Sequence, residues 1–428
     1  PVAPTPNAVA RLAELDHALN DDPVPGAQVV RLLDQLGSPA TMATAGPRFF
    51  GFVVGASLPA ALAANWLAGA WDQNAGLVIL SPIVAKLEEV SIRWLTDLLG
   101  LPAGISAGFV TSATAANFSA LCAARHALLQ RRGWDVEANG LFGAPPIDVV
   151  VGDEVHASML KALGMSGLGR ARVTRVPTDD QGRMRADMLP PLTDNTLVCI
   201  QAGNVNTGSF DPAAEICARA RSAGAWVHVD AAFGLWAAAS PAMRHLVDGV
   251  SAADSWATDA HKWLNVPYDS GIVFCRDTTA LRAAMTSSAA YLVEGDRREP
   301  YQYTPDFSRR GRGVEVWAAL HSLGRSGVAD LVDRCCRHAR RFAEGLRGAG
   351  YEILNDVVLN QVLVSFGAPE RTREVIAGIQ EDGTCWCGGT EWHGRTAMRI
   401  SVSSWATTDE DVERSLLAML RSARLHRG

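Results

Sequence analysis

A lysine, two aspartates and a histidine stand near the ends of apolar runs in this chain, where chemistry is commonly sited. Asp230 closes the run AWVHVD. At the C-terminal end of a parallel strand a side chain points into the ligand crevice. A carboxylate there needs solvent or a partner, because an unpaired buried charge is expensive. Thirty-two residues later, Lys262 follows Asp259 and His261 in the polar, turn-like segment DSWATDAHKWLNVPYDSG. A primary amine can condense with an aldehyde. A carboxylate can hold a heteroaromatic nitrogen protonated, so that the ring accepts electrons. A strand-end aspartate or a surface lysine alone is ordinary; the two together, with His261 before and Ser270-Gly271 after, point to that chemistry.

A second constellation is GFVTSATAANFSALCAARHALL, where a turn of small residues opens a helix. Backbone N–H groups at a helix start, with the Ser112 and Thr114 hydroxyls and the small Ala113, make a site for phosphate. An ordinary Ser or Thr N-cap is the plainer reading of the same residues. His156 follows a strand in VVVGDEVHASMLKALG, and the turn Asn206-Thr207-Gly208 follows another in QAGNVNTGSFD. An amine, a carboxylate and a phosphate site together meet the needs of pyridoxal 5'-phosphate (PLP).

On these motifs the sequence resembles the group II PLP-dependent decarboxylases, which include the aromatic-L-amino-acid and glutamate decarboxylases. The resemblance runs from about Pro47 to Trp405 and is densest between His228 and Gly271. It implies the fold-type I, aspartate-aminotransferase-like α/β architecture: a large domain with a mainly parallel seven-stranded sheet and a small C-terminal α+β domain. It also implies a homodimer with shared active sites. Lys262 would carry the cofactor, Asp230 would face its ring nitrogen and His156 would stack on its ring. Ser112, Ala113, Thr114, Asp259 and His261 would lie around its phosphate end, and Thr207 near the ring oxygen or the substrate. Tyr291, in SSAAYLVEG, would return a proton to the substrate α-carbon from a loop; a phenol suits a positioned general acid. Asn74 and Gly76 would border the side-chain pocket, and Arg399 would steer a carboxylate. Two departures stand out. Ala113 replaces a glycine common in the family, and Asp259-Ala260 replaces the Asn-Pro of the animal aromatic enzymes.

The surrounding pattern must place these residues. Ile147–Val151, Ala171–Val176, Thr196–Gln201, Trp226–Val229 and Gly271–Cys275 read as strands. They alternate with helical stretches such as Asp211–Ala223, which Gly224 closes, so a parallel sheet covered on both faces is expected. Residues 1–75 read as a helical segment at the dimer interface, 76–310 as the cofactor domain and 311–428 as the smaller domain. In the last of these, the helical Val314–Leu346 leads to VLNQVLVSF and AMRISVSS, and Asp409–Ser422 closes the chain as a helix.

Composition narrows the function. At 428 residues and 48% apolar content the chain exceeds one small core. A net charge of −6 with both signs interspersed gives no basic face for nucleic acid. The early run GFVVGASLPAALAANWLAGAW is broken by Gly51, Gly55, Pro59, Asn65 and Gly69, so it reads as buried helix rather than a membrane span. Eight irregularly spaced cysteines fit reduced thiols in a cytoplasm. Cys385, Cys387 and His393 make a poor zinc signature, and no metal is expected. Arg309, Arg310 and Arg312 read chiefly as structural ion-pair donors. Decarboxylation of an L-amino acid, with an aromatic one favoured, leads the alternatives of Cα–Cβ cleavage, transamination and a catalytically silent PLP-binding scaffold.

Overall fold

The computed structural model describes residues 1–286 and 297–426. Helices α1 (Pro6–Ala10), α2 (Gly26–Gly37), α3 (Pro59–Trp71) and α4 (Pro82–Leu98) open the chain. An alternating region follows: β1 (Ser106–Val110), α5 (Ala113–Gln130), α6 (Val136–Asn139), β2 (Asp148–Gly152), α7 (Ala157–Met165), β3 (Val173–Val176), β4 (Thr196–Gln201), α8 (Ala213–Ala223), β5 (Trp226–Asp230), β6 (Ser255–Asp259), β7 (Gly271–Cys275) and α9 (Thr278–Met285). The last part comprises α10 (Gly313–Gly348), β8 (Glu352–Ile353), β9 (Gln361–Ser365), α11 (Pro369–Asp382), β10 (Gly388–Trp392), β11 (Arg395–Ser401) and α12 (Asp409–Leu425).

Strands β1 to β7 form one seven-stranded sheet in the order β1-β7-β6-β5-β4-β2-β3. Only β7 runs against its neighbours, β1 and β6. The other six strands therefore end at the same edge. The central strands β4 and β5 are buried at every position, as expected of parallel strands covered on both faces. One face packs on α5, α7 and α9 through Leu121, Leu128, Val151, Leu163 and Leu281. The other shares a larger apolar core with α10 and the small sheet, through Val198, Val229, Phe342, Val364 and Ile400. That small sheet is antiparallel, in the order β10-β11-β9-β8. The expected α/β architecture with a mainly parallel seven-stranded sheet is thus observed.

Local sequence explains several boundaries. Gly224 closes α8 in the left-handed conformation, a C-terminal position where a residue without Cβ is unstrained. Thr408 and Asp411 form a reciprocal capping box at the start of α12. The long helix α10 is interrupted at Gly324, whose φ of 60° and ψ of −178° are not helical. Residues 41–58 form no helix. They run as an irregular strap whose Phe49 bridges to Trp386 of the small domain.

Candidate active site

The common strand edge gathers the predicted residues. β1 leads into Ser112–Thr114, β2 into His156, and β4 into Gln201, Gly203 and Val205. β5 ends on Asp230, β6 on Asp259, and Lys262 lies just beyond. Together with Ser158, Ala232 and Phe233 these residues line a cleft of about 490 Å³ that opens to solvent. Ligands of open α/β sheets bind at this edge, where carboxyl ends converge.

Asp230 is 5% exposed. Its Oδ2 accepts a hydrogen bond from Asn117 Nδ2 at 3.0 Å. Its Oδ1 is buried and has no hydrogen-bond partner among the described residues. Burial pushes this carboxyl up, against the pull of His156, Lys262 and the Asn117 hydrogen bond. A buried acceptor left unsatisfied costs about 1–3 kcal/mol, so Oδ1 marks a place where a donor belongs.

Asp259 differs. Its Oδ1 accepts from the Ala113 backbone N–H at 2.5 Å, and its Oδ2 lies 3.2 Å from Lys262 Nζ. Lys262 Nζ also lies 6.0 Å from the centre of the Phe233 ring. The start of α5 faces the cleft, and the Ser112 side chain makes no capping bond to that helix. Gly271 lets β7 approach this turn: a Cβ there would stand 2.4 Å from the Ser112 carbonyl carbon. His156 is the N-cap of α7, where its Nδ1 accepts from the Ser158 backbone. The ring is open to solvent on the cleft side. Desolvation by the surrounding walls still lowers its pKa, against the attraction of Asp230.

Other predicted residues lie elsewhere. Thr207 is buried with its hydroxyl bonded to Gln181 O at 2.7 Å and to Ser209 Oγ at 2.9 Å; Gly203 and Val205 line the cleft in its place. His261 is buried behind the lysine, packed at a tilt against Tyr268 with ring centres 4.3 Å apart, and its Nδ1 accepts from the Ser270 N–H. Arg399 lies against the cleft wall, donating to Val205 O at 3.3 Å and Asn206 Oδ1 at 3.4 Å. Asn74 borders a separate surface groove with Ser308 and Arg309, and its Oδ1 accepts from the Gly76 N–H at 2.9 Å. Gly76 has a local reason to lack a side chain, because a Cβ would stand 2.3 Å from Phe307 O. Tyr291 lies outside the described residues. Arg309 pairs with the buried Glu88 at 2.7 Å, and Arg310 and Arg312 with Asp269. Cys385 and Cys387 are buried free thiols. Among the described residues no group of three or more His, Cys, Asp or Glu is placed to hold a metal.

Three residues at or behind the site carried no signal in the sequence reading. Asn117 sits inside an alanine-rich helix, and His228 inside an apolar strand. Asn265, three residues after Lys262, receives the Ala56 N–H at 3.2 Å and the Trp405 N–H at 2.9 Å on its Oδ1. It donates to Ser403 O at 2.8 Å. Its φ is positive, at 57°, a region Asn tolerates better than most residues, but no pattern in the sequence marks it.

The sequence profile of the pyridoxal-dependent decarboxylase conserved domain matches residues 9–368, and the chain belongs to that family. It is 27% identical to tryptophan decarboxylase 1 of Oryza sativa subsp. japonica over 401 residues, covering 84% of this chain and 77% of that one. It is 28% identical to the aromatic-L-amino-acid decarboxylase of Drosophila lebanonensis, covering 83% and 93%. It is 27% identical to the acidic amino acid decarboxylase GADL1 of Xenopus tropicalis, covering 79% and 68%. The fold superposes on Oryza sativa TDC solved with PLP and tryptamine at a TM-score of 0.90, with 23% identity, covering 100% of this chain and 94% of that one. Mouse CSAD gives 0.88 at 23% identity, covering 99% and 93%. The chain is a PLP-dependent carboxy-lyase acting on amino acids. The cleft fits that cofactor: an amine, an unsatisfied buried carboxylate oxygen and an uncapped helix start surround one cavity.

Proposed function

We propose that this enzyme decarboxylates an L-amino acid, an aromatic one favoured, to the amine and CO2, with Lys262 as the cofactor-bearing lysine. Bound PLP supplies an electron-accepting ring for the electron pair left on the α-carbon when the carboxylate departs. The observation that carries the reading is the unsatisfied Asp230 Oδ1 in the same cleft as the Lys262 amine. Asp230 holds the ring nitrogen protonated. Ser112, Thr114 and the start of α5 receive the phosphate. Asp259 holds the Lys262 amine on the cleft floor. His156 would stack on the ring, and desolvation by the cleft walls favours its neutral form. Arg399 steers the substrate carboxylate. Tyr291 donates a proton to the α-carbon.

Apolar side chains at Phe233 and Val205 support an aromatic substrate, as do the named activities of the Oryza and Drosophila relatives. Val29, Val30, Leu33, Trp66 and Leu67 of α2 and α3 are exposed. An apolar face of this kind is a contact surface, and it supports a homodimer built on the N-terminal segment. The eight free, buried cysteines support a reducing, cytoplasmic setting. Among the described residues no helix is long and apolar enough to cross a membrane.

A screen of holoenzyme against the natural L-amino acids, with CO2 and amine read by mass, tests the reading. Equimolar CO2 and amine from an aromatic amino acid is the expected result. Product from cleavage or transamination without CO2 would overturn it.

A further inference from the structure

Behind Asp230 runs a line of polar groups that the proposed reaction does not touch. Trp226, His228 and Asp230 lie on β5. Ser255 is the cross-strand partner of His228 on β6, and Asn117 reaches over from α5. Trp226 Nε1 lies 3.0 Å from Ser255 Oγ. Ser255 Oγ lies 2.9 Å from His228 Nδ1, and His228 Nε2 lies 2.9 Å from Asn117 Oδ1. Asn117 Nδ2 completes the line to Asp230 Oδ2 at 3.0 Å. All four residues behind Asp230 are essentially shut off from solvent.

The carboxylate end, with a neutral imidazole, fixes the direction of every hydrogen bond along the line. A carboxylate can only accept, and an indole N–H can only donate. Asn117 therefore turns its NH2 toward Asp230 and its Oδ1 toward His228, whose Nε2 carries the proton and donates. Burial lowers the pKa of that ring to about 3, so the imidazole is neutral, and its Nδ1 accepts from the Ser255 hydroxyl, which itself accepts from Trp226. Ser255, His228 and Asn117 each donate once and accept once. Turning the Asn117 amide over would set its oxygen against the carboxylate, which is tolerable only if Asp230 is protonated.

We propose that Trp226, Ser255, His228 and Asn117 form a one-directional hydrogen-bond relay that holds Asp230 as a carboxylate with Oδ1 free for the cofactor. Asn117 and His228 are thus positioning residues for the reaction. The inference rests on the reading that Asp230 partners the ring nitrogen of bound PLP. Desolvation favours the protonated acid at this depth, and a protonated Asp230 could not hold the ring nitrogen charged. The relay opposes that tendency by directing a fixed donor at Oδ2. Aligned hydrogen bonds polarise one another in a low-dielectric interior.

The test compares wild type, Asn117→Asp, His228→Gln, His228→Leu, Ser255→Ala and Asp230→Ala. Each is loaded with PLP or with an analogue whose ring nitrogen is replaced by C–H. The readouts are the pH titration of the bound cofactor's visible absorbance, the cofactor dissociation constant and turnover. Asn117→Asp keeps the shape but turns a donor into a second anion. It and His228→Leu should displace the titration by about one unit and lower turnover at least ~10-fold with PLP, since one pKa unit is a tenfold change. With the analogue both should match wild type within about threefold, because no ring nitrogen remains to protonate. His228→Gln can donate and accept along the same line, and should restore most of the loss. Equal losses with both cofactors, or an unmoved titration, would overturn the relay. If the larger changes prevent folding, Ser255→Ala decides: a wild-type titration there overturns the relay as well. An Asp230→Ala enzyme with wild-type spectrum and turnover would instead overturn the assignment of Asp230 itself. A collapse in Asp230→Ala beside unmoved Asn117→Asp and Ser255→Ala would remove the relay alone.

Discussion

Asp230 and Asp259 end neighbouring parallel strands and meet the same cleft, yet they are held in opposite ways. Asp259 has both oxygens engaged, one by the Ala113 N–H and one by Lys262. Asp230 has one oxygen engaged and one buried without a partner among the described residues. The difference separates a carboxylate that organises the cleft from one reserved for a ligand. Glu88, whose two oxygens both accept from Arg309, belongs with the first kind.

The sharpest challenge to this contrast is at the amine both aspartates surround. Lys262→Ala should lower turnover by on the order of 10⁴-fold, as loss of a covalent participant does, and borohydride should no longer fix the cofactor to the protein. A cofactor-bearing peptide mapped to another lysine would remove the amine from the comparison. Asp230→Ala comes next. Losing the ring partner withdraws an interaction that strengthens as charge develops, and turnover should fall about 10³-fold with the fold intact. Circular dichroism beside steady-state kinetics checks both halves of that statement. Arg309→Leu should behave in the reverse manner. Removing one partner of a buried pair costs about 3–5 kcal/mol, so denaturant melts should show a large loss of stability while the cleft residues keep their places.

A pH experiment probes the neutral group behind Asp230. The His228 pKa is depressed in the folded chain, to about 3 from an ordinary value of 6.5. The unfolded chain therefore binds a proton that the folded chain refuses. This term is fully favourable to folding above pH 6.5 and is lost as pH falls from there toward 3, by about 1.4 kcal/mol per unit. His228→Gln should flatten that slope in acid denaturation curves. The smallest expected effect is at Asp259. Asp259→Asn keeps an acceptor for the Ala113 N–H and removes an anion from the start of α5, where a phosphate would be received. Cofactor should bind up to about tenfold tighter, with turnover changed by less than that. Weaker binding in a calorimetric titration would place Asp259 among the groups that hold the cofactor.

Much of this arrangement could be read from residue order. Thr196–Gln201 and Gly271–Cys275 are strands within the limits expected, because apolar, β-branched runs bounded by turns leave few alternatives. The helix expected over Asp211–Ala223 begins at Ala213, since Pro212 fits only outside or at the first turn. β6 carries no strand signature: SWATD is half polar, and it is buried because α5 covers one face at Ala257 and the larger core the other at Trp256. β1, SAGFV, is likewise too small and mixed to declare itself. Residues 41–58 form an irregular strap where the sequence predicts part of a helical segment. Its backbone is instead satisfied by distant partners, including Trp386 O for the Phe50 N–H and Asn265 O for the Leu58 N–H. Lys262 and Asp230 were legible because their chemistry is rare in that spacing. Asn117 and His228 were not, because a buried polar residue inside an apolar element has no periodicity of its own. Only the partner across the fold reveals it.

Asn265 binds the strap, the lysine segment and the Ser403–Trp405 segment into one knot, and that has a consequence for how the protein is made. Synthesis proceeds from the N-terminus at roughly 5–20 residues per second. Ser403 and Trp405, two of the groups that hold Asn265, are added about 140 residues after Lys262. For some 7–30 seconds at that pace, a nascent chain already carries its reactive amine but lacks the carbonyl and N–H that fix its neighbourhood. The cleft is therefore completed only once the Ser403–Trp405 segment has been translated, and aldehyde capture by Lys262 in its final geometry waits for residues far downstream of the lysine.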